Sequence, residues 1–86
     1  MGQQMRILLR RRQAQLAFGL QHSAFYEGIR AGVIPIGVKI GARATAWPSD
    51  EIQKVVDARI AGLDCDKIKM LVSKLHAERT SLGGGL

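Results

Sequence analysis

Apolar and polar positions along this chain follow two periods, and the changes of period divide it into short elements. Met5 to Leu9 is apolar apart from Arg6 and predicts an extended lead-in. Arg11 to Phe18 (RRQAQLAF) consists of good helix formers without a breaker and predicts a first helix that ends at Gly19. After a Gly19-Leu20-Gln21 turn, Phe25 and Ile29 stand four apart with Leu20 just ahead. Gln21 to Ala31 therefore predicts a second helix that packs one face and turns His22, Ser23, Tyr26, Glu27 and Arg30 outward. Gly32 stops it. Val33 to Pro35 lead into Val38-Lys39-Ile40, a tight Gly41-Ala42-Arg43 turn and a returning Ala44-Thr45-Ala46-Trp47, which predicts a small β-hairpin with a basic tip. Pro48, Ser49 as a cap candidate, and Asp50-Glu51 in a first turn open a third helix. Its stripe is Ile52, Val55, Val56 and Ile60, and it runs to about Ala61. Gly62 breaks it, Asp64 or Asp66 caps the next start, and Ile68, Leu71, Val72 and Leu75 recur at helical spacing through about Glu78. Thr80 to Leu86 contains three consecutive glycines and no helix or strand pattern, which predicts a flexible tail in the free monomer.

Two short helices joined by a glycine-containing turn, then a two-stranded wing and a further helix, define the expected class: mainly α, a winged helix-turn-helix plus an extra C-terminal helix. Residues 1–61 would form the winged helix-turn-helix domain, 62–79 the C-terminal helix and 80–86 the tail. No internal repeat is visible.

Charge gives this outline a partner. In the first 48 residues seven cations (Arg6, Arg10, Arg11, Arg12, Arg30, Lys39, Arg43) face only Glu27, whereas from Ser49 onward six basic residues balance six acidic ones. The whole net charge of +6 therefore belongs to the front half, and with a pI near 10.3 it points at a polyanion. Eighty-six residues make one domain, too small to wall an enzyme cleft on all sides, so a binding module is favoured. The lone Cys65 supplies neither an internal disulfide nor a thiolate cluster, and it is assigned no function. His22 and His76 lack ligand spacing, and Ser23 has no His/Asp partner pattern, so no catalytic group, metal or cofactor is expected. No run approaches the roughly 20 apolar residues of a membrane span, and the start carries no export pattern; a soluble, cytoplasmic, nucleoid-associated bacterial protein is expected.

The order of these residues resembles the AlpA-type phage regulators and the excisionase-like DNA-binding proteins related to MerR. The resemblance covers about residues 6 to 61. It is carried by Leu9-Arg10 at the first helix, Gly19-Leu20-x-x-Ser23-x-Phe25-Tyr26 at the second, Gly32-Val33-Ile34-Pro35 before the wing, Val38-Lys39-Ile40-Gly41-x-Arg43 within it, and Trp47 ahead of Asp50-Glu51-Ile52. It implies that the second helix enters the major groove and that the wing touches backbone or minor groove. Gln21, His22, Ser23, Tyr26, Glu27 and Arg30 would then face the groove, with Lys39 and Arg43 from the wing and Arg10, Arg11 and Arg12 beside it. Gln and Arg suit base edges, Ser and Tyr suit phosphate, and Arg43 suits a narrow minor groove. Family members commonly carry Ser or Thr where Gln21 stands and basic residues near His22 and Glu27. The cap is weaker here, and Glu27 must tolerate phosphate or accept from a cytosine amine.

Plainer readings stand beside these. Arg10-Arg11-Arg12 also fits a solvated helix start, Tyr26 fits either the core or the groove, and Trp47 reads as a core aromatic. One reading head covers only a half-site, so several copies on DNA are expected; Leu82 and Leu86 could seat in a neighbour, head to tail. The role implied is sequence-specific double-stranded DNA binding, as an excisionase that biases an integrase partner, as a transcriptional regulator of a prophage or integrative element, or as both. A protein-interaction adaptor with incidental DNA affinity is the alternative. A membrane-surface helix is disfavoured because the cationic half and the best amphipathic helix are different segments.

Overall fold

The computed structural model describes residues 5–83, with side chains through Thr80. Seven elements follow in order: β1 (Leu8–Arg10), α1 (Arg11–Ala17), α2 (His22–Ala31), β2 (Val38–Gly41), β3 (Ala44–Pro48), α3 (Ser49–Ile60) and α4 (Cys65–Gly83). The architecture is a winged helix-turn-helix with an additional C-terminal helix, as the pattern predicts. The wing is larger than expected. The lead-in forms a strand of its own, and the antiparallel sheet has the order β1-β3-β2. Leu8, Leu9 and Arg10 face Pro48, Trp47 and Ala46 across the ladder. On the other side Val38 faces Ala46 and Lys39 faces Thr45, with a register irregularity between Lys39 and Gly41 at the hairpin tip.

The expected Ser49 cap does not form. Ser49 is the first residue of α3, and its hydroxyl accepts from the Ile7 N–H at 3.0 Å while its own N–H donates to the Ile7 carbonyl at 2.8 Å. The serine thus fixes the edge strand rather than the helix end. Asp50 and Glu51 do occupy the first turn of α3. Of the two candidates ahead of α4, Asp64 is the cap, since its Oδ1 accepts the Lys67 N–H at 2.9 Å.

One core unites the chain. Ala14, Phe25, Val33, Ile34, Trp47, Ile52, Val55, Ala58, Ile68, Val72 and Leu75 form a single buried cluster. Trp47 packs edge-on to Phe25, with centroids 5.3 Å apart, and its indole N–H donates to the Pro35 carbonyl at 2.9 Å, so its polar atom is satisfied in the interior. α3 buries Glu51, Ile52, Val55 and Ala58, and the stripe expected to include Ile60 ends short: Ile60 is 80% exposed. It sits in the last turn of α3 beside Val56 and Arg59, facing an open groove that also takes in Leu16 and Phe18.

α2 ends at Gly32, whose φ of +82° closes the helix by returning its N–H toward Gly28 and Ile29. Gly28 has a steric reason to be glycine, because a Cβ there would stand 2.5 Å from Ile34 Cδ1. The loop after α2 therefore folds tightly against the helix it leaves. α4 runs to Gly83 rather than ending at about Glu78, so the expected flexible tail begins inside the helix. Thr80, Ser81 and Leu82 contain no breaker, and a glycine at a helix terminus costs little. Leu86 and the side chain of Leu82, the positions expected to associate with a neighbour, lie outside the described residues.

Candidate nucleic-acid interface

The cationic residues of the front half come from three separate elements. Arg10 precedes α1, and Arg11 and Arg12 begin it. Gln13 accepts the Arg10 N–H at 3.0 Å; arginine has no acceptor to return, so only half of a capping box forms. Arg11 hydrogen-bonds the Gln15 side chain one turn on and is half-buried, whereas Arg10 and Arg12 are exposed. The sheet brings the hairpin tip to the same place. Arg10, Arg11, Arg12, Tyr26, Arg43, Thr45 and Trp47 line one concavity between the start of α1, the middle of α2 and the wing.

A second, shallower surface adjoins it along the outward face of α2, formed by His22, Ser23, Tyr26, Glu27 and Arg30. Tyr26 belongs to both. Its ring stands edge-on to Phe25, with centroids 5.6 Å apart, and leans against His22 at 4.9 Å. The core thereby fixes the aromatic body from behind, while the residue remains 37% exposed. Gln21 is the residue ahead of α2; it is exposed and makes no side-chain cap, as its chemistry predicts. Lys39 lies on β2 opposite Thr45, exposed but outside both concavities.

Not every front-half cation remains free. Arg6 pairs with Asp50 of α3 at 3.1 Å, so the segment ahead of β1 is tied down by charge as well as by Ser49. Among the described residues the one other ion pair is Arg79 with Glu51. Arg10, Arg11, Arg12, Arg30, Lys39 and Arg43 therefore have no anionic partner among the described residues, Arg11 being held only by the neutral Gln15 amide. Guanidinium groups brought together from several elements favour an anion with several acceptor oxygens, and phosphate fits that description.

Sequence reasoning missed a third set of residues. Glu51 is buried, and the Arg79 guanidinium of α4 binds its carboxylate through Nε at 2.9 Å and through Nη2. The same Nη2 donates to the Ile36 carbonyl at 2.8 Å, and the Ile36 N–H donates to His76 Nε2 at 3.1 Å. Burial, the nearby Arg79 charge and, in the opposite sense, Glu51 act on His76; the net effect lowers its pKa from the ordinary value of 6.5. The i, i+3 spacing of His76 and Arg79 was readable, but their partner is a backbone group, which carries no side-chain signal.

Among the described residues no group of three or more His, Cys, Asp or Glu is placed to hold a metal ion, and no helix is long and apolar enough to cross a membrane. No curated protein and no solved structure matches the chain. The family described as prophage CP4-57 regulatory protein (AlpA) matches residues 7–60, from the edge strand through the whole of α3, which takes in both helices of the helix-turn-helix and the complete wing. A chain whose charge, wing and paired helices are arranged in this way over that span belongs to the AlpA family of phage regulatory proteins.

Proposed function

We propose that the protein binds double-stranded DNA sequence-specifically, with α2 in the major groove and the β2–β3 wing on the adjoining backbone. The observation that carries this reading is the convergence of Arg10, Arg12 and Arg43 on one concavity beside the exposed face of α2. Phosphate contacts from α1, the wing and the Ser23 and Tyr26 hydroxyls would set the register, and Gln21, His22, Glu27 and Arg30 would face the base edges. Glu27 is the one anion on that face and favours a cytosine amine over phosphate. Membership of a phage regulatory family supports a role in controlling a prophage or integrative element, either at a promoter or as an excisionase that binds beside an attachment site, bends DNA and redirects an integrase. Occupation by several copies, with Leu82 and Leu86 at the contact, would supply the affinity that one half-site lacks.

A DNase footprint over the DNA around the protein's own gene tests this. Protection of repeated sites at an attachment region assigns the excisionase role, and protection confined to a promoter assigns transcriptional control. No discrete footprint at physiological salt rejects sequence-specific binding and favours the adaptor reading. That second reading has one observation of its own, the apolar groove of Leu16, Phe18, Leu20, Val56 and Ile60, in which the exposed Leu16 and Ile60 rim the half-buried Phe18, Leu20 and Val56 and suit a protein partner.

A further inference from the structure

The segment 32–37 joins α2 to the wing, and every part of it is held. At its start the Val33 and Ile34 N–H groups both donate to the Gly28 carbonyl, at 3.0 and 3.2 Å. Pro35 accepts the Trp47 indole N–H. Gly37 lies so close to Thr45 and Trp47 that a Cβ would collide with the Thr45 methyl. Between these points stands Ile36, whose side chain is half exposed and whose backbone N–H and carbonyl are both taken by side chains of α4. α4 lies beyond the family match, which ends at residue 60.

We propose that His76 and Arg79 are positioning residues for the DNA-binding face: by holding both polar groups of Ile36 they fix the take-off of β2, and with it Lys39 and Arg43, in a hold that opens when His76 takes up a proton. The functional consequence rests on the DNA-binding reading above; the hold itself does not. Nε2 can accept the Ile36 N–H only while the imidazole is neutral and carries its proton on Nδ1. Protonation turns Nε2 into a donor facing the Ile36 N–H and sets a second cation beside Arg79. From α3, Glu51 faces the imidazole as a compensating anion, but its carboxylate is already bound by Arg79. The segment 32–37 brings no titratable side chain to the site. The lowered pKa agrees with this geometry and gives the sign: the neutral imidazole's contribution is complete above about pH 6.5 and is lost as pH falls through the depressed folded-state value.

Two measurements on the full chain test the proposal. In the free protein, amide NMR spectra between about pH 8 and pH 5 should show Ile36 and the residues of β2 moving with the midpoint of the His76 ring. Amides of Ile36 and β2 that do not follow His76 overturn the hold. In the second, anisotropy of a fluorescein-labelled random-sequence duplex of about three helical turns is read at constant ionic strength. His76→Gln keeps an acceptor at every pH, and both proteins share every other side chain, so the ratio of affinities isolates His76. From about pH 7.5 to pH 5.5 the wild type should lose roughly fivefold relative to His76→Gln, the equivalent of one net hydrogen bond. Identical pH profiles for the two proteins, with both folded, overturn the coupling to the wing. Duplex binding that is absent from both proteins at every pH rejects the DNA-binding reading instead, and the NMR titration then decides the hold alone.

Discussion

Tyr26 fits both of its sequence readings, because the two faces of its ring have different tasks. One side is set by Phe25 and the core behind it, and the other borders the arginine concavity and the outward face of α2. A periodicity assigns a residue to one face, so a side chain on the boundary cannot be placed by spacing alone. Arg43 is simpler, since it is exposed at a hairpin tip and has no acidic partner among the described residues. Replacing it with Ala should leave the melting temperature almost unchanged, weaken binding to all duplexes alike, and lower the salt slope of log K by about one unit. A sequence-dependent loss would mean that Arg43 reads bases rather than backbone. Gly28 makes the opposite case, a residue with no chemistry whose substitution is felt. Gly28→Ala forces a Cβ against Ile34, and destabilisation by about 1–3 kcal/mol is expected, measurable by denaturant unfolding.

At the scale of elements, the helices and the hairpin were legible because each has an internal signal: spacing of apolar residues, a glycine stop, alternation about a turn. β1 has none. Its three residues, Leu8, Leu9 and Arg10, become a strand only because β3 offers a free edge and Ser49 pins Ile7 at the far end. The same limit explains Ile60, which the periodic stripe counted as core. Burial of α3 is decided by where α1, β3 and α4 lie, and in its last turn Ala58 is covered while Ile60 is left exposed. The candidate site divides similarly. Its residue types were visible, whereas the meeting of Arg10 and Arg12 with Arg43 depends on long-range sheet pairing, and the hold on Ile36 depends on backbone groups. α4 is where this matters most for stability. Ile68, Val72 and Leu75 are buried against the core that also positions α2, each contributing about 2 kcal/mol on burial. Their combined share is comparable to the whole stability of a small domain. A chain ending at Ala61, which keeps the entire family match, should therefore show no cooperative thermal transition by circular dichroism. A sharp transition near that of the full chain would show that α4 is an accessory to the reading head.

For the whole molecule, formal charge overstates what a polyanion meets. Arg6 is committed to Asp50 and Arg79 to Glu51, and Arg11, half-buried and held by the neutral Gln15, keeps its charge but is less free to reach out. In the front half the exposed Arg10, Arg12, Arg30, Lys39 and Arg43 remain, on the elements that form the two concavities and the wing, while Lys54 and Arg59 are exposed on α3 on either side of Asp57. Lys67, Lys69 and Lys74 are equally exposed on α4, but Asp64, Asp66 and Glu78 share that helix and its approach. Counterion release makes these alternatives measurable, since each phosphate neutralised contributes about 0.9 to the slope of log K against log salt. Five contacts give a slope of about −4 to −5 for the wild type, measured with a random-sequence duplex between about 50 and 200 mM salt. Lys67→Ala and Lys74→Ala should leave that slope unchanged, whereas Arg12→Ala and Arg43→Ala together should reduce it by about two units. If instead the α4 lysines carried the salt dependence, the polyanion would lie against the C-terminal helix. The asymmetry of charge between the two halves of the chain would then have pointed to the wrong face.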